Sequence, residues 1–455
     1  MRILIVGAGV VGSNLASELS AAGHVVSVVD DDSALVHELN EHLDVLALQG
    51  NGAQPSVLRR AGIEEAQMVI AVTNIDEVNL VICMLAARFG VRHKIARIRN
   101  EEYAGPNATL KPAELGIDTI INPEYILTGK LLHILETPGA TDCALFAEGQ
   151  IQLVTFDICD ESPIAGMKLK DVRVMAEAYS FLVCAIFRGD KALVPRGDDE
   201  IRAGDHVAVV ANAETVPLIL PLMQKQVQRA ERVVIYGADM VGRNVAETLQ
   251  ERLERVVLIE PHQPLAERAA KTLLKTLVLN GKATDPDVLR EADLEHCDYF
   301  LALSDDDQAN LLAALMARHA GAHHTALIAR DPQVMPVLSS IGMEVVLNPR
   351  LATVGAILTH IRRGQIHGVT RIKESEAEVI EFVADTGAKI TKKPLKELEM
   401  PDGSLVVAAL RDDEMMIPDG NFLVRPGETV LVFALPHAIE RIERLFAKRR
   451  LFSRG

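Results

Sequence analysis

Hydrophobic residues near the start of the chain fall in short, mostly unbroken runs: Ile3–Val6, Val25–Val29, Leu46–Gln49, Met68–Ala71 and Lys94–Ile98. Runs this short and continuous read as strands buried on both faces of a sheet. Between them, Gly12–Ala22, Ser33–Asn40, Pro55–Ala61 and Asp76–Phe89 carry the spacing of helices that bury one side. Strand alternating with helix predicts an α/β fold with a doubly wound parallel sheet, Rossmann-like in order.

The same pattern returns later in the chain. Residues 1–12, MRILIVGAGVVG, recur as residues 231–242, ERVVIYGADMVG, so that Gly7 and Gly12 reappear as Gly237 and Gly242. Val28-Val29-Asp30 matches Leu258-Ile259-Glu260, Leu48-Gln49-Gly50 matches Leu279-Asn280-Gly281, and Asn79 matches Asn310. Ile95-Ala96-Arg97 meets Ile328-Ala329-Arg330, and Asn122-Pro123 meets Asn348-Pro349. A slowly drifting register with matching turn residues indicates duplication of a roughly 230-residue unit. A second, smaller module repeats as well. Pro195-x-Gly197 with Gly204-Asp205 matches Pro418-x-Gly420 with Gly427-Glu428, and Ala185–Arg188 matches Ala408–Arg411. Short β runs and tight turns predict small α+β lobes. The expected order is a Rossmann-like lobe over 1–137, a small lobe over 138–228, then a second pair over 229–363 and 364–449.

Composition narrows the function classes. A length of 455 residues alone suggests about three domains; the repeats turn this into four lobes in two tandem modules. The formal net charge of −16 argues against binding nucleic acid or anionic lipid through a general electrostatic pull. Aromatics are only 4%, too few for a platform that stacks single-stranded bases. The five cysteines, at 83, 143, 159, 184 and 297, show no C-x-x-C spacing and fit a reducing compartment without a disulfide framework. No apolar run approaches the roughly 20 residues needed to span a bilayer. The opening apolar stretch is interrupted by Gly7, Gly9 and Gly12 and reads as a first strand rather than a signal peptide.

The candidate chemistry lies in the first strand-to-helix turn. Gly7-x-Gly9-x-x-Gly12 follows a strand, opens a helix and precedes Asp30 at the end of the second strand. Gly7 allows the tight turn, Gly9 lets the backbone approach a pyrophosphate, and Gly12 lets the helix pack on the strand. Phosphates then face the amides at the helix N-terminus. Asp30 can accept hydrogen bonds from an adenosine ribose diol and would repel a 2′-phosphate, which favours NAD or another adenine nucleotide over NADP. Asn51, Thr73, Asn74 and Arg97 fall at the carboxyl ends of neighbouring strands, the edge where such sheets bind ligands. The second copy keeps Gly237, Ala238, Met240, Val241 and Glu260, but Asp239 replaces the middle glycine. That substitution brings negative charge to the place of a diphosphate, and Lys282 is a candidate to offset some of it.

Other motifs have plainer readings. His323-His324 reads as a solvated helix-to-strand turn rather than a metal pair, and Asp305-Asp306-Asp307 as a strand-end loop and helix cap rather than a magnesium cluster. The tail Lys448-Arg449-Arg450 with Arg454 reads as a solvated helix end.

A Rossmann-like lobe followed by a small lobe with the P-x-G…G-D/E pattern resembles the RCK module, also called KTN, that regulates potassium conductance. Two such modules in one chain, with the runs GNGAQPSVLRRAG, AVTNIDEVN and KIARIRN, resemble the TrkA family of peripheral subunits of bacterial Trk potassium uptake systems. The resemblance implies a first nucleotide held by Gly7, Ala8, Gly9, Val10, Val11, Gly12, Asp30, Thr73, Asn74 and Arg97, and a second by Gly237 to Val241, Glu260 and Arg330. It implies NAD or NADH, or else ATP or ADP, as ligand; the ribose diol and phosphates common to all four leave the choice open. It also implies a homo-tetrameric ring on the cytoplasmic face of the inner membrane, docked on a Trk-type membrane potassium subunit (TrkH- or TrkG-like), with no nucleic acid partner. The expected role is regulatory, not enzymatic. The alternative is an NAD-dependent dehydrogenase, which needs a proton-transfer residue in a substrate lobe. The two small lobes repeat each other and share no His or Lys suited to that task.

Overall fold

The computed structural model describes residues 1–105, 108, 111–189, 191–224, 229–361, 366–372 and 377–447. The basic tail 448–450 with Arg454, and the boundary positions Gln228 and Gly364, lie outside the described residues. Two compact units are present: residues 1–127 with 348–358, and residues 128–347 with those from 359 onward.

The first unit contains a six-stranded sheet: β1 (Arg2–Val6), β2 (Val25–Asp30), β3 (Leu46–Gln49), β4 (Met68–Ala71), β5 (His93–Arg97) and β6 (Thr119–Ile121). All pairs are parallel, in the order β3-β2-β1-β4-β5-β6. The order reverses between β1 and β4, which opens the crevice at their carboxyl ends where ligands enter such folds. Every residue of Ile3–Val6 and Met68–Ala71 is buried, as helices covering both faces require. The helix expected from Gly12 begins earlier, at Val10, and runs to Ala21. Its glycine is interior because the first turn lies directly against β1. The strand expected over Lys94–Ile98 runs one residue earlier, so Arg97 is its last residue.

The second unit holds three sheets. Strands β7 (Ala140–Phe146), β8 (Ile151–Asp157), β9 (Phe181–Arg188), β10 (Lys191–Leu193) and β11 (His206–Asn212) form the first small sheet. Its order is β10-β9-β11-β8-β7, antiparallel throughout. The second Rossmann-like sheet contains β12 (Arg232–Tyr236), β13 (Arg255–Glu260), β14 (Leu277–Asn280), β15 (Tyr299–Ala302), β16 (His324–Ile328) and β17 (Val345–Leu347). It repeats the first topology as β14-β13-β12-β15-β16-β17. The last sheet comprises β18 (Ile366–Arg371), β19 (Glu378–Val383), β20 (Ser404–Arg411), β21 (Glu414–Met416) and β22 (Thr429–Ala434), in the order β18-β19-β22-β20-β21. The chain is therefore two tandem modules, each a Rossmann-like parallel sheet followed by a small α+β lobe. The two small sheets share one core, in which Phe146, Leu153 and Phe187 pack with Val379, Leu431 and Phe433. All five cysteines are free, and only Cys159 is exposed.

The small-lobe motif has a structural task in both copies. The Asp205 carboxylate, 1% exposed, accepts hydrogen bonds from Arg188 Nε and Nη2, both at 2.7 Å, and from the Arg202 amide at 2.8 Å. Glu428 pairs in the same way with Arg411 and with the Arg425 amide. The P-x-G turns close through their glycine carbonyls, which accept the amides of Lys170 and Lys396 at 2.8 Å each. Burial alone would raise the Asp205 pKa, but the hydrogen bonds from Arg188 and Arg202 outweigh it and hold the carboxyl below its usual range. Its stabilisation is therefore complete above the ordinary aspartate pKa and is lost as pH falls through the lowered folded value. Replacing Arg188 with Met leaves a buried carboxylate without its counter-ion, at a cost of about 3–5 kcal/mol. Urea unfolding of Arg188→Met should show that loss at neutral pH, and the deficit should shrink on acidification as Asp205 takes up a proton.

Candidate nucleotide-binding edge

At the carboxyl edge of the first sheet, Gly7 follows β1 with φ of +109°, a left-handed value open to glycine. A Cβ on Gly7 would lie 2.9 Å from the Thr73 amide nitrogen, and one on Gly12 would lie 1.7 Å from the Gly7 carbonyl oxygen. Both glycines are thus required by packing. Gly9 differs. A Cβ there would meet nothing within 4 Å. As the N-cap of helix Val10–Ala21, Gly9 places no side chain over the first amides of that helix. The amides and positive end of the helix dipole therefore face outward, the arrangement that attracts phosphate. Val11 is buried, so the segment presents backbone rather than side chains.

Asp30 ends β2 beside this turn. One carboxylate oxygen accepts the Ala8 amide at 2.5 Å and the other accepts the Asp32 amide at 2.9 Å. The chain thereby ties the acid to the glycine turn and aims it along the sheet edge. Thr73 and Asn74 follow β4, the other neighbour of β1, and Arg97 ends β5. The Arg97 guanidinium is half-buried, and its Nε is buried without a hydrogen-bond partner. Burial lowers its pKa from the ordinary arginine value, with repulsion from Arg99 and Arg350 adding to the effect and Glu124 and Asp76 opposing it. A buried cationic group with a spare donor suits a phosphate oxygen. Asn51 stands apart, after edge strand β3; it is exposed and its carboxamide oxygen accepts the Ala53 amide at 2.8 Å.

Two residues outside the expected set build this edge. Asn79 is fully buried, and its carboxamide oxygen accepts the Thr73 amide (3.0 Å) and hydroxyl (2.7 Å). Its amide group donates to the carbonyls of Thr73 (3.1 Å) and Arg97 (2.8 Å). One side chain thus fixes the ends of β4 and β5 relative to each other. Asp76 holds the next turn by accepting the amides of Arg99 and Asn100. The repeat of Asn79 at Asn310 was the sequence signal for this clamp; its partners, being backbone atoms, left no signal of their own.

The second edge reproduces the scaffold and alters the chemistry. Asn310 clamps Ser304 and the Ile328 carbonyl as Asn79 clamps Thr73 and Arg97. A Cβ on Gly242 would again clash with the Gly237 carbonyl, at 2.0 Å. Glu260 repeats the backbone contacts of Asp30 but is more deeply buried and carries an added partner: Oε2 accepts the Ala238 amide (2.7 Å), and Oε1 meets the His262 amide (2.8 Å) and ring nitrogen (3.0 Å). Arg330 donates to the Ser304 carbonyl at 3.0 Å and faces Asp307 at 3.4 Å. Asp306 caps the helix Asp307–His319, as the plainer reading of the acidic run anticipated. His324 departs from the expected solvated turn: it stacks on Tyr299 and pairs with Glu344, whose hydrogen bond raises the imidazole pKa.

Comparison with known proteins accords with this architecture. The TrkA-N domain family matches residues 3–123 and 233–349, and the TrkA-C domain family matches 153–224 and 379–447. The chain belongs to the TrkA family. It is 34% identical over 455 residues to the Trk system potassium uptake protein TrkA homolog 1 of Methanosarcina mazei, covering 98% of this chain and 100% of that one. It is 33% identical to TrkA of Halomonas elongata, with 98% of each chain covered. In fold it resembles the GsuK RCK domain (TM-score 0.61, 17% identity, 98% of this chain and 94% of that chain covered). It likewise resembles the GsuK channel bound to NAD (TM-score 0.61, 16% identity, 98% and 78% covered). The RCK-type tandem expected from the sequence is thus the architecture of this TrkA family member.

Removing the Asn79 side chain strands a buried amide and two carbonyls. With each unpaired buried group costing about 1–3 kcal/mol, Asn79→Ala should lower unfolding stability by at least about 2 kcal/mol. Asn79→Asp should be nearly as damaging, since a carboxylate cannot donate to the Thr73 and Arg97 carbonyls. Equilibrium unfolding in urea measures both.

Proposed function

We propose that the first edge binds an adenine nucleotide and that this binding regulates potassium uptake through a membrane partner. The observation that carries the reading is the bare helix N-terminus at Gly9, with Asp30 on one side and the unsatisfied Arg97 Nε on the other. Gly7, Ala8, Gly9, Val10, Val11 and Gly12 would face the diphosphate through backbone, Asp30 would accept the adenosine ribose diol, and Thr73, Asn74 and Arg97 would line the neighbouring strand ends. Asn51 would contribute at the margin. NAD or NADH fits these groups, as do ATP and ADP; NADP is disfavoured because its 2′-phosphate would meet the Asp30 carboxylate. The nucleotide supplies phosphates and a ribose diol, and its role is binding rather than hydride transfer.

Membership of the TrkA family supports a part in Trk-type potassium uptake, the activity named for the relatives in Methanosarcina mazei and Halomonas elongata. No helix among the described residues is long and apolar enough to cross a membrane. The chain would therefore act as a peripheral subunit on the cytoplasmic face of the inner membrane, in a homo-tetrameric ring against a TrkH- or TrkG-like potassium subunit. Nucleotide binding would favour one ring shape and so bias the pore. Moving such a switch from 1:99 to 99:1 takes about 5.5 kcal/mol of differential binding, a load that several sites in a ring can share.

Calorimetric titration with NAD, NADH, ATP and ADP tests the site. Loss of charge-assisted hydrogen bonds to the ribose should weaken binding at least about 100-fold in Asp30→Ala, and potassium uptake in cells carrying the variant should lose its dependence on nucleotide. Undiminished affinity in Asp30→Ala would refute the assignment.

A further inference from the structure

The duplication supplies an internal comparison at one backbone position. Gly9 caps its helix with φ −63° and ψ −175°, and Asp239 caps the corresponding helix with φ −65° and ψ 178°. The backbones are the same, so the side chain is the whole difference. Gly7 and Gly12 are bare because the fold has no room for a Cβ, but Gly9 has open space around it. Nothing in the protein's own packing forbids a side chain at Gly9. The second copy carries one.

The Asp239 carboxylate does not cap its own helix. It is buried enough to push its pKa up, with the Asp305 and Glu260 carboxylates adding to the rise, while Arg330 and the Asp305 backbone amide oppose it. Arg330 holds the place of Arg99, not of Arg97 as the sequence pairing suggests: its amide meets Asp307 as the Arg99 amide meets Asp76. Its guanidinium is engaged with Ser304 and Asp307, while Ile328 takes the place of Arg97. Asp305 and Asp306 stand where the first edge has Asn74 and Ile75. With Asp239 in place of Gly9, three carboxylates therefore distinguish the second edge from the first.

We infer that Asp239 is a specificity-determining residue that makes the second edge reject nucleoside di- and triphosphates, so that each chain binds a single nucleotide, at the first edge. The inference rests on the first-edge reading above, and concerns which of the two edges is usable. A carboxylate held at the N-terminus of the helix occupies the phosphate position and repels any phosphate that approaches it. In a partly desolvated site, this repulsion is enough to weaken affinity at least about 100-fold relative to the first edge.

The test is a calorimetric count of ADP and NAD bound per full-length chain, in EDTA so that no divalent cation bridges the charges. Wild type should bind one equivalent, and Asp239→Gly two. Asp239→Asn, which keeps the shape and removes the charge, should also gain the second equivalent, more weakly. Asp30→Ala should bind none, and Asp30→Ala with Asp239→Gly should bind one. Circular dichroism and thermal melting check that each variant is folded. Two equivalents in wild type, or a folded Asp239→Gly protein that still binds one, would overturn the inference. One equivalent retained by Asp30→Ala would instead overturn the first-edge reading, so the two failures are distinguishable.

Discussion

The Gly7 carbonyl oxygen lies where a Cβ on Gly12 would come within 1.7 Å of it, and the ligand edge is built around that contact. Only a glycine lets the helix Val10–Ala21 come this close to the end of β1, and only that approach aims the first helical amides over the crevice between β1 and β4. The same contact recurs between Gly237 and Gly242. Both lobes therefore keep the geometry of an anion site, whatever their side chains permit. Asn79 and Asn310 fix the opposite wall by joining two strand ends through a single buried carboxamide. In low-dielectric surroundings a fully satisfied polar network of this kind holds one arrangement, because every alternative strands a donor or acceptor.

Duplication with divergence explains how the two modules share a scaffold and differ in chemistry. Positions constrained by packing are the same in both copies: the two structural glycines, the clamping asparagine, the acid that holds the following turn, and the arginine–carboxylate pair of each small lobe. Positions facing outward at the edge have diverged, with Gly9, Asn74 and Ile75 opposite Asp239, Asp305 and Asp306. On the reading proposed above, such asymmetry would let the fold be retained while the signal enters at a single edge.

The charge of −16 gains a meaning from the family. A protein this acidic has no general attraction to anionic lipid. The membrane association proposed above would therefore rest on recognition of a protein partner.

The sequence by itself determined the two modules, the strand order's class and the glycine turn proposed as the nucleotide site. These depend on local periodicity and on glycines whose spacing is set by the strand-to-helix turn. It also showed Asp239 as a departure, because charge at a named motif position needs no coordinates to be noticed. Tertiary structure alone decided which motif residues are structural and which look outward. Gly204-Asp205 and Gly427-Glu428 read as a module signature, but folding across strands turned their acids into buried partners of Arg188 and Arg411. Gly9 and Gly12 look alike in the sequence; one is bare for packing and the other is not, a distinction that exists only once a strand end and a helix start are brought into contact. The shared core of the two small sheets was invisible for the same reason: residues far apart in the chain meet there through non-local packing, and no local pattern records which surface a buried face will cover.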